Sequence, residues 1–390
     1  MLMQFSLIHG SLPTKGRGLY LALILLVLSA GCSPENSSDQ NLPEITVLDR
    51  FTKAISVDDN LLYAPVSIQI DAEGNLYVLD TAVMQVQVLD AGEPRLIRSI
   101  AGPGRGPGEI VRPSHIRLAN NMIHVIDTGQ FVIQRYSLDG RFHSAISYGE
   151  WGYFPSVAAP PPAPVNPSAV ITPDLDNKPH ILANGDLMLS PMGVRDSISS
   201  LYRRYNSDRE FLARIGHIPD GSSFILSNEE VKSDIQENRI PSFYLPKAFP
   251  VSSAQDEDLI YMIFSSMPKI ARYQSDGIMA WEKEITGISE LDSIKTGFFS
   301  SMERIMQNDS RFRITLNFYH SGTVSPEGEL WLITQYRDIY LHRFSANGAL
   351  LNRYKLVAED EKLKPIFDIH FERKEIFIVN SDGEVLLFPY

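Results

Sequence analysis

Residues 68–100 read IQIDAEGNLYVLDTAVMQVQVLDAGEPRLIRSI, and the alternation within them decides the fold. Apolar and polar residues alternate over 68–80 on either side of a turn at Ala72 to Asn75, and again over 83–100 around Asp90. Period-two runs interrupted by Asp, Asn and Gly read as β-hairpins. Two consecutive hairpins supply four antiparallel strands.

The same grammar returns along the chain. MIHVID (122–127) precedes FVIQRYSLDGRFHSAIS (131–147), and NGDLMLS (184–190) precedes LYRRYNSDREFLARI (201–215). DLIYMIF (258–264) precedes KIARYQSDGIMAWEKEI (269–285), and GELWLIT (328–334) precedes IYLHRFSANGALLNRYKL (339–356). Asp90, Asp139, Asp208, Asp276 and Asn347 close the third-to-fourth-strand hairpins, at separations of 49, 69, 68 and 71 positions. A fixed unit with variable insertions marks a repeat array, and four-stranded units at this spacing favour a propeller over a sandwich.

The sixth unit, 364–390, holds only three strands and leaves an unpaired edge, which invites aggregation. EITVLD at 44–49 has strand character and no partner nearby, so it is expected as the outer strand of the last blade. The predicted fold is all-β: a six-bladed β-propeller over residues 44–390, with an N-terminal strand closing the last blade and short helical insertions between blades.

Between the first two units lies GPGRGPGEIVRP, 102–113. Glycine supplies positive φ, while Pro107 and Pro113 fix φ and remove donors that would lack partners. No Lys-Ser or Lys-Thr follows Gly108, and the next segment alternates like strands instead of opening a helix. The stretch therefore reads as a turn and not as a phosphate cradle.

The beginning of the chain is an address. Lys15 and Arg17 precede the apolar run LYLALILLVLSA, 19–30, which is shorter than the ~20 residues of a membrane-spanning helix. LSAGC resembles the bacterial lipoprotein signal, which implies that residues 1–32 are a signal peptide ending at Cys32, the lipidated residue. Cys32 is the only cysteine among 390 residues, so an intrachain disulfide is impossible. Residues 33–43 read as a flexible tether, and Ser33 after the cysteine points to the outer membrane of a bacterial cell envelope. Stable attachment rests on the several acyl chains that the lipoprotein resemblance implies.

The run at 104–113, written GxGPGEΦxxP, is followed by HVID and QFVIQRYSLDG. Together with VLDTAVMQVQVLD at 78–90, it resembles the NHL-repeat class of six-bladed β-propellers. The resemblance covers 65–149; beyond it only the strand pattern continues. It implies a scaffold that binds protein or ligand, in a class that includes bacterial lipoproteins, while related propellers are lyases or lactonases.

Three insertions stand out. EWGYFPSVAAPPPAPVNPS (150–168) reads as a rim loop packing Trp151, Tyr153 and Phe154. Ser227 and Glu230 form a capping box ahead of a helix. Leu291, Ile294, Phe298, Met302 and Ile305 form one side of a second helix, expected to pack on the propeller itself.

By strand connectivity, second-to-third turns and blade crossovers emerge on one face. That face is expected to carry the ligand site, with Asp80, Asp127, Arg195, Tyr336, Arg337 and Asn380 displayed there and Arg112 and His115 near the channel. The bland reading of Asp80-Thr81 and Asp127-Thr128 is that they bond their own turn backbones.

Net charge of −12 and the absence of a basic patch argue against nucleic acid as a partner. The nine histidines show neither HxxxH nor HExxH, and no GxSxG is present, so no metal, cofactor or serine nucleophile is drawn from local spacing. Two functions stay open. One is a monomeric, lipid-anchored module binding a protein or small molecule; the other is an exported hydrolase or lyase with a metal or histidine in the channel.

Overall fold

The alternation of residues 65–100 becomes four antiparallel strands, Pro65–Ile70, Asn75–Asp80, Gln85–Asp90 and Arg95–Ile100, and this is blade 1. The second strand, NLYVLD, buries every side chain after its first, as a strand covered on both faces must. The fourth is largely exposed, so each blade runs from a buried interior to a solvated rim.

The computed structural model describes residues 42–149, 179–190, 199–223, 227–307 and 315–390. Five further sheets follow blade 1 in chain order, making six blades. Their inner strands are Pro113–Ala119, His180–Ile181, Ala248–Ser252, Ser321–Val324 and Leu363–His370. Within each blade the first three strands pair antiparallel with their neighbours in sequence, so all inner strands enter from one mouth of the channel and leave by the other. The first-to-second turns therefore crowd one mouth, and the crossovers and second-to-third turns the opposite one.

Closure differs from the sequence expectation in which segment performs it. Thr52–Ile55 pairs antiparallel with Val385–Pro389 and supplies the fourth strand of blade 6. Ile45–Leu48, inside the EITVLD segment, instead adds a fifth strand to blade 5, parallel to Leu350–Leu356. Burial explains the division of labour. Ala54 and Ile55 are buried, Ile55 completely, whereas Ile45 and Val47 stay exposed at 38% and 52%. The closing strand must fill a core, and the fifth strand only covers an edge.

The 102–113 stretch is the expected turn. Ile110 N–H reaches the Gly102 carbonyl at 2.8 Å, and Gly104 N–H returns to the Ile110 carbonyl at 3.1 Å. Gly104 has φ +152°, and a Cβ there would stand 2.0 Å from Glu109 Oε2, so a side chain at this position would have to displace the Glu109 carboxylate.

Two helices lie between blades. Helix α1 (Asn228–Gln236) is capped by Ser227, whose Oγ accepts the Glu230 N–H at 3.3 Å. Helix α2 (Ser289–Gln307) buries Leu291, Ile294, Phe298, Phe299 and Met302 in a cluster with Tyr261 and Ile263 of blade 4 and Leu330 and Leu332 of blade 5. Its apolar stripe thus covers the propeller itself. Trp151, Tyr153 and Phe154 lie outside the described residues.

Candidate functional site

Each inner strand has one edge without a strand partner, and its amides must find acceptors elsewhere. Side chains from the preceding blade provide them. Ser67 Oγ and Gln69 Oε1 of blade 1 accept the N–H groups of Ile116 and Leu118 in blade 2, at 3.2 and 3.3 Å. Asp368 Oδ2 of blade 6 accepts Ile70 N–H of blade 1 at 2.9 Å. The channel is consequently lined by polar side chains that cannot be exchanged for apolar ones without orphaning backbone.

Above these contacts a cavity of about 910 Å³ opens at the mouth formed by the first-to-second turns. Its floor includes Gln69, Arg117, Thr323 and Asp368; its rim carries Glu73, Asn120, Asn121, Asp256, Glu257 and Glu372. Arg117 leaves the inner strand of blade 2 and crosses to blade 4, where Nη2 donates to the Ser252 carbonyl at 2.8 Å. Its Nε is enclosed without a partner among the described residues. Burial pushes the guanidinium pKa down, and the negative charge of Asp368 partly offsets this.

Asp368 is 6% exposed. Burial raises its pKa to about 6 against the opposing bonds from Ile70, Ile369 and Thr323 and the charge of Arg117. His370, also on the cavity wall, accepts the Arg373 N–H at Nδ1 at 3.3 Å, which leaves its other nitrogen, Nε2, as the protonated one in the neutral ring. That nitrogen is buried and has no partner among the described residues.

Beneath the floor, His180 Nε2 and Ser252 Oγ are 2.7 Å apart. Burial first, then Arg117 and His115, hold the imidazole pKa well below its ordinary value, so the ring is neutral. A hydroxyl against a neutral imidazole is the geometry of a nucleophile and its base. Ser252, however, is 1% exposed and does not reach the cavity wall, so no substrate atom can approach it in this arrangement. Among the described residues no three His, Cys, Asp or Glu side chains converge where a metal ion could sit.

The residues expected from sequence lie elsewhere. Asp80 is fully buried, and its two oxygens accept the N–H groups of Tyr63, Ala64 and Ala82 at 2.6, 3.1 and 2.9 Å. Asp127 does the same for Val111, Arg112 and Gly129, at 2.7, 3.0 and 2.8 Å. Asn380 occupies the same place in blade 6 and accepts from Asp382 and Glu384. These three tie the crossovers and turns of the opposite mouth.

Arg112 is exposed beside that mouth. Arg337 lies over the Tyr336 ring at 5.6 Å, and a Cβ added at Gly297 of helix α2 would stand 3.2 Å from that ring. His115 lies within the channel, its Nδ1 3.1 Å from Ser114 Oγ, close enough to His180 for their charges to interact. Arg195 and Cys32 lie outside the described residues. None of the described candidates reaches the cavity, whose Arg117 and Asp368 were not singled out in the sequence.

A family described as a 6-bladed beta-propeller matches residues 38–149. No curated protein matches the chain. Among solved structures, a member of the DUF4221 family from Bacteroides vulgatus superposes with a TM-score of 0.52 at 8% identity, covering 90% of this chain and 98% of that one. A Bacteroides fragilis protein described by its assumed export gives 0.49 at 13% identity, covering 90% and 96%. Virginiamycin B lyase from Staphylococcus aureus gives 0.42 at 10% identity, covering 87% and 88%. At such identities the likeness concerns the fold and not the chemistry.

Proposed function

We propose that this chain is an exported, lipid-anchored propeller that binds a small polar ligand in the cavity at the first-to-second-turn mouth. The observation that carries the reading is Arg117: a cation held in the channel with one arm fixed on Ser252, on the wall of a cavity of about 910 Å³. Cavities of this size and mixed lining are where small ligands bind. The signal-like residues 1–32, the lone Cys32 and the polar tether support export and anchoring at the cell envelope.

The alternative, a hydrolase or lyase, has its best support in the His180–Ser252 contact. The burial of Ser252 favours binding over catalysis.

The test uses the full chain purified in detergent from its own envelope, with retained small molecules identified by mass spectrometry. A variant carrying Ala72→Trp and Ala254→Trp, both exposed positions on the cavity wall, blocks the mouth without touching the core. A compound held by the wild type and absent from this variant is the expected result. Identical retention by both proteins, or none by either, overturns the reading.

A further inference from the structure

We infer that the cavity takes a short peptide with a free C-terminal carboxylate and at least one amine, the carboxylate seated on Arg117 and the amine at the acidic rim; this rests on the binding reading above.

The donor set comes first. Arg117 Nη2 is committed to Ser252, whereas Nη1 makes no hydrogen bond among the described residues. With Nε enclosed and Nη2 committed, Nη1 is the arm left for a charge-assisted bond to one carboxylate oxygen, and a guanidinium keeps its charge even when burial opposes that charge. Its nearest anion is already engaged elsewhere: Asp368 accepts from Ile70 at 2.9 Å and Gln69 at 3.4 Å, and Thr323 bonds it as well. The floor is therefore a donor awaiting an acceptor.

The surrounding charge then limits what that acceptor belongs to. Asp368 lies within Coulombic reach of Arg117, and Glu73, Asp256, Glu257 and Glu372 stand around the rim. The whole chain carries −12. A phosphate dianion or a polyanion is repelled by this field before it reaches the floor. A ligand with one carboxylate inside and positive charge outside is drawn in and oriented.

Polar complementarity points the same way. Asn120 and Asn121, at φ 50° and 54° in the blade 2 turn, belong to the cavity wall. Side-chain amides present one donor group and one acceptor, as a peptide group does.

The probes are lysyl-alanyl-alanine, its C-terminal amide, its fully N-acetylated form, and a neutral trisaccharide, each titrated calorimetrically into the full chain. The free acid is expected to bind at least about tenfold more tightly than the amide, because a charge-assisted pair is lost in the amide. Acetylation is expected to weaken binding further. Arg117→Met should equalise acid and amide, and Arg117→Lys, which keeps charge without the fork, should retain part of the preference.

Equal binding of acid and amide to the wild type overturns the inference, as does an acid preference that survives in Arg117→Met. No peptide binding also overturns it. Trisaccharide binding abolished by Ala72→Trp and Ala254→Trp, without peptide binding, removes the peptide while leaving the cavity reading in place.

Discussion

Arg117 of blade 2 reaches past blade 3 to the carbonyl oxygen of Ser252 in blade 4, at 2.8 Å. The contact bridges the channel below the cavity, so one side chain both braces the inner ring and forms the floor. A brace of this kind is replaceable for stability, because removing a buried cation together with its desolvation cost offsets the lost bond. Arg117→Met is expected to change unfolding free energy by no more than about 1 kcal/mol in denaturant titration, since a typical bond contributes that much.

Asp368 gives a pH signature. Its pKa rises from 3.8 unfolded to about 6 folded, so the folded state holds the proton more tightly. The stabilisation from this group is complete below the unfolded value and is lost as pH rises through about 6. Asp368→Asn carries no such proton. The melting temperature of the variant minus that of the wild type should climb between about pH 4 and pH 6 and then level off; a flat difference across that window contradicts the assignment.

The bolt between helix α2 and blade 5 is a buried network. His342 Nε2–H donates to Glu290 Oε1 at 2.9 Å, Tyr319 O–H donates to His342 Nδ1 at 2.9 Å, and Arg353 Nε donates to Glu290 Oε1 at 3.0 Å. Burial pushes the Glu290 carboxyl up, but the bonds from His342 and Arg353 outweigh it and hold the group below the ordinary carboxylate range. Burial keeps His342 neutral. Glu290→Ala strands Arg353 and should cost about 3–5 kcal/mol by denaturant unfolding. Adding Arg353→Met should recover much of that loss; a double variant as unstable as the sum of the singles contradicts the pairing.

Asp80 carries three backbone bonds, from Tyr63, Ala64 and Ala82. Asp80→Ala should cost roughly 2–4 kcal/mol, as expected when buried amides lose their acceptor. The affinity of any compound retained by the cavity should remain as in the wild type. A selective loss of binding with intact stability would restore Asp80 to the site.

Closure is tested at two positions eight residues apart in sequence. Ile55→Ala empties a filled core site and should cost about 2–5 kcal/mol. Val47→Ala, exposed on the fifth strand of blade 5, should change stability by less than about 0.5 kcal/mol. The reverse order would return closure to the 44–49 segment.

The contrast between Val47 and Ile55 shows what the sequence could and could not tell. Alternation located nearly every strand because burial imposes period two on each blade, and the turn residues from Asp90 to Asn347 stand where their hairpins close. Pairing is a tertiary choice, and EITVLD and TKAI are equally able to form strands.

The cavity was hidden for a related reason. Asp80 and Asp127 draw the eye as exposed-looking turn carboxylates, yet three amides apiece consume them. Arg117 stands two residues after His115 on the same strand, and Asp368 lies within KPIFDIH; charges inside an inner strand were the available signal. Only the ring brings blades 2, 4 and 6 to one point.

Ligand capture by the cavity should be visible at the Arg117 guanidinium itself. Its side-chain ¹H–¹⁵N resonances can be identified by their loss in Arg117→Lys, and the full chain titrated with the small-molecule fraction of its own envelope. The Arg117 signals are expected to shift and sharpen as an acceptor engages the free arm, while the Ala72→Trp and Ala254→Trp variant shows no change. Arg117 signals that stay fixed while resonances at the opposite mouth move would contradict capture by the cavity.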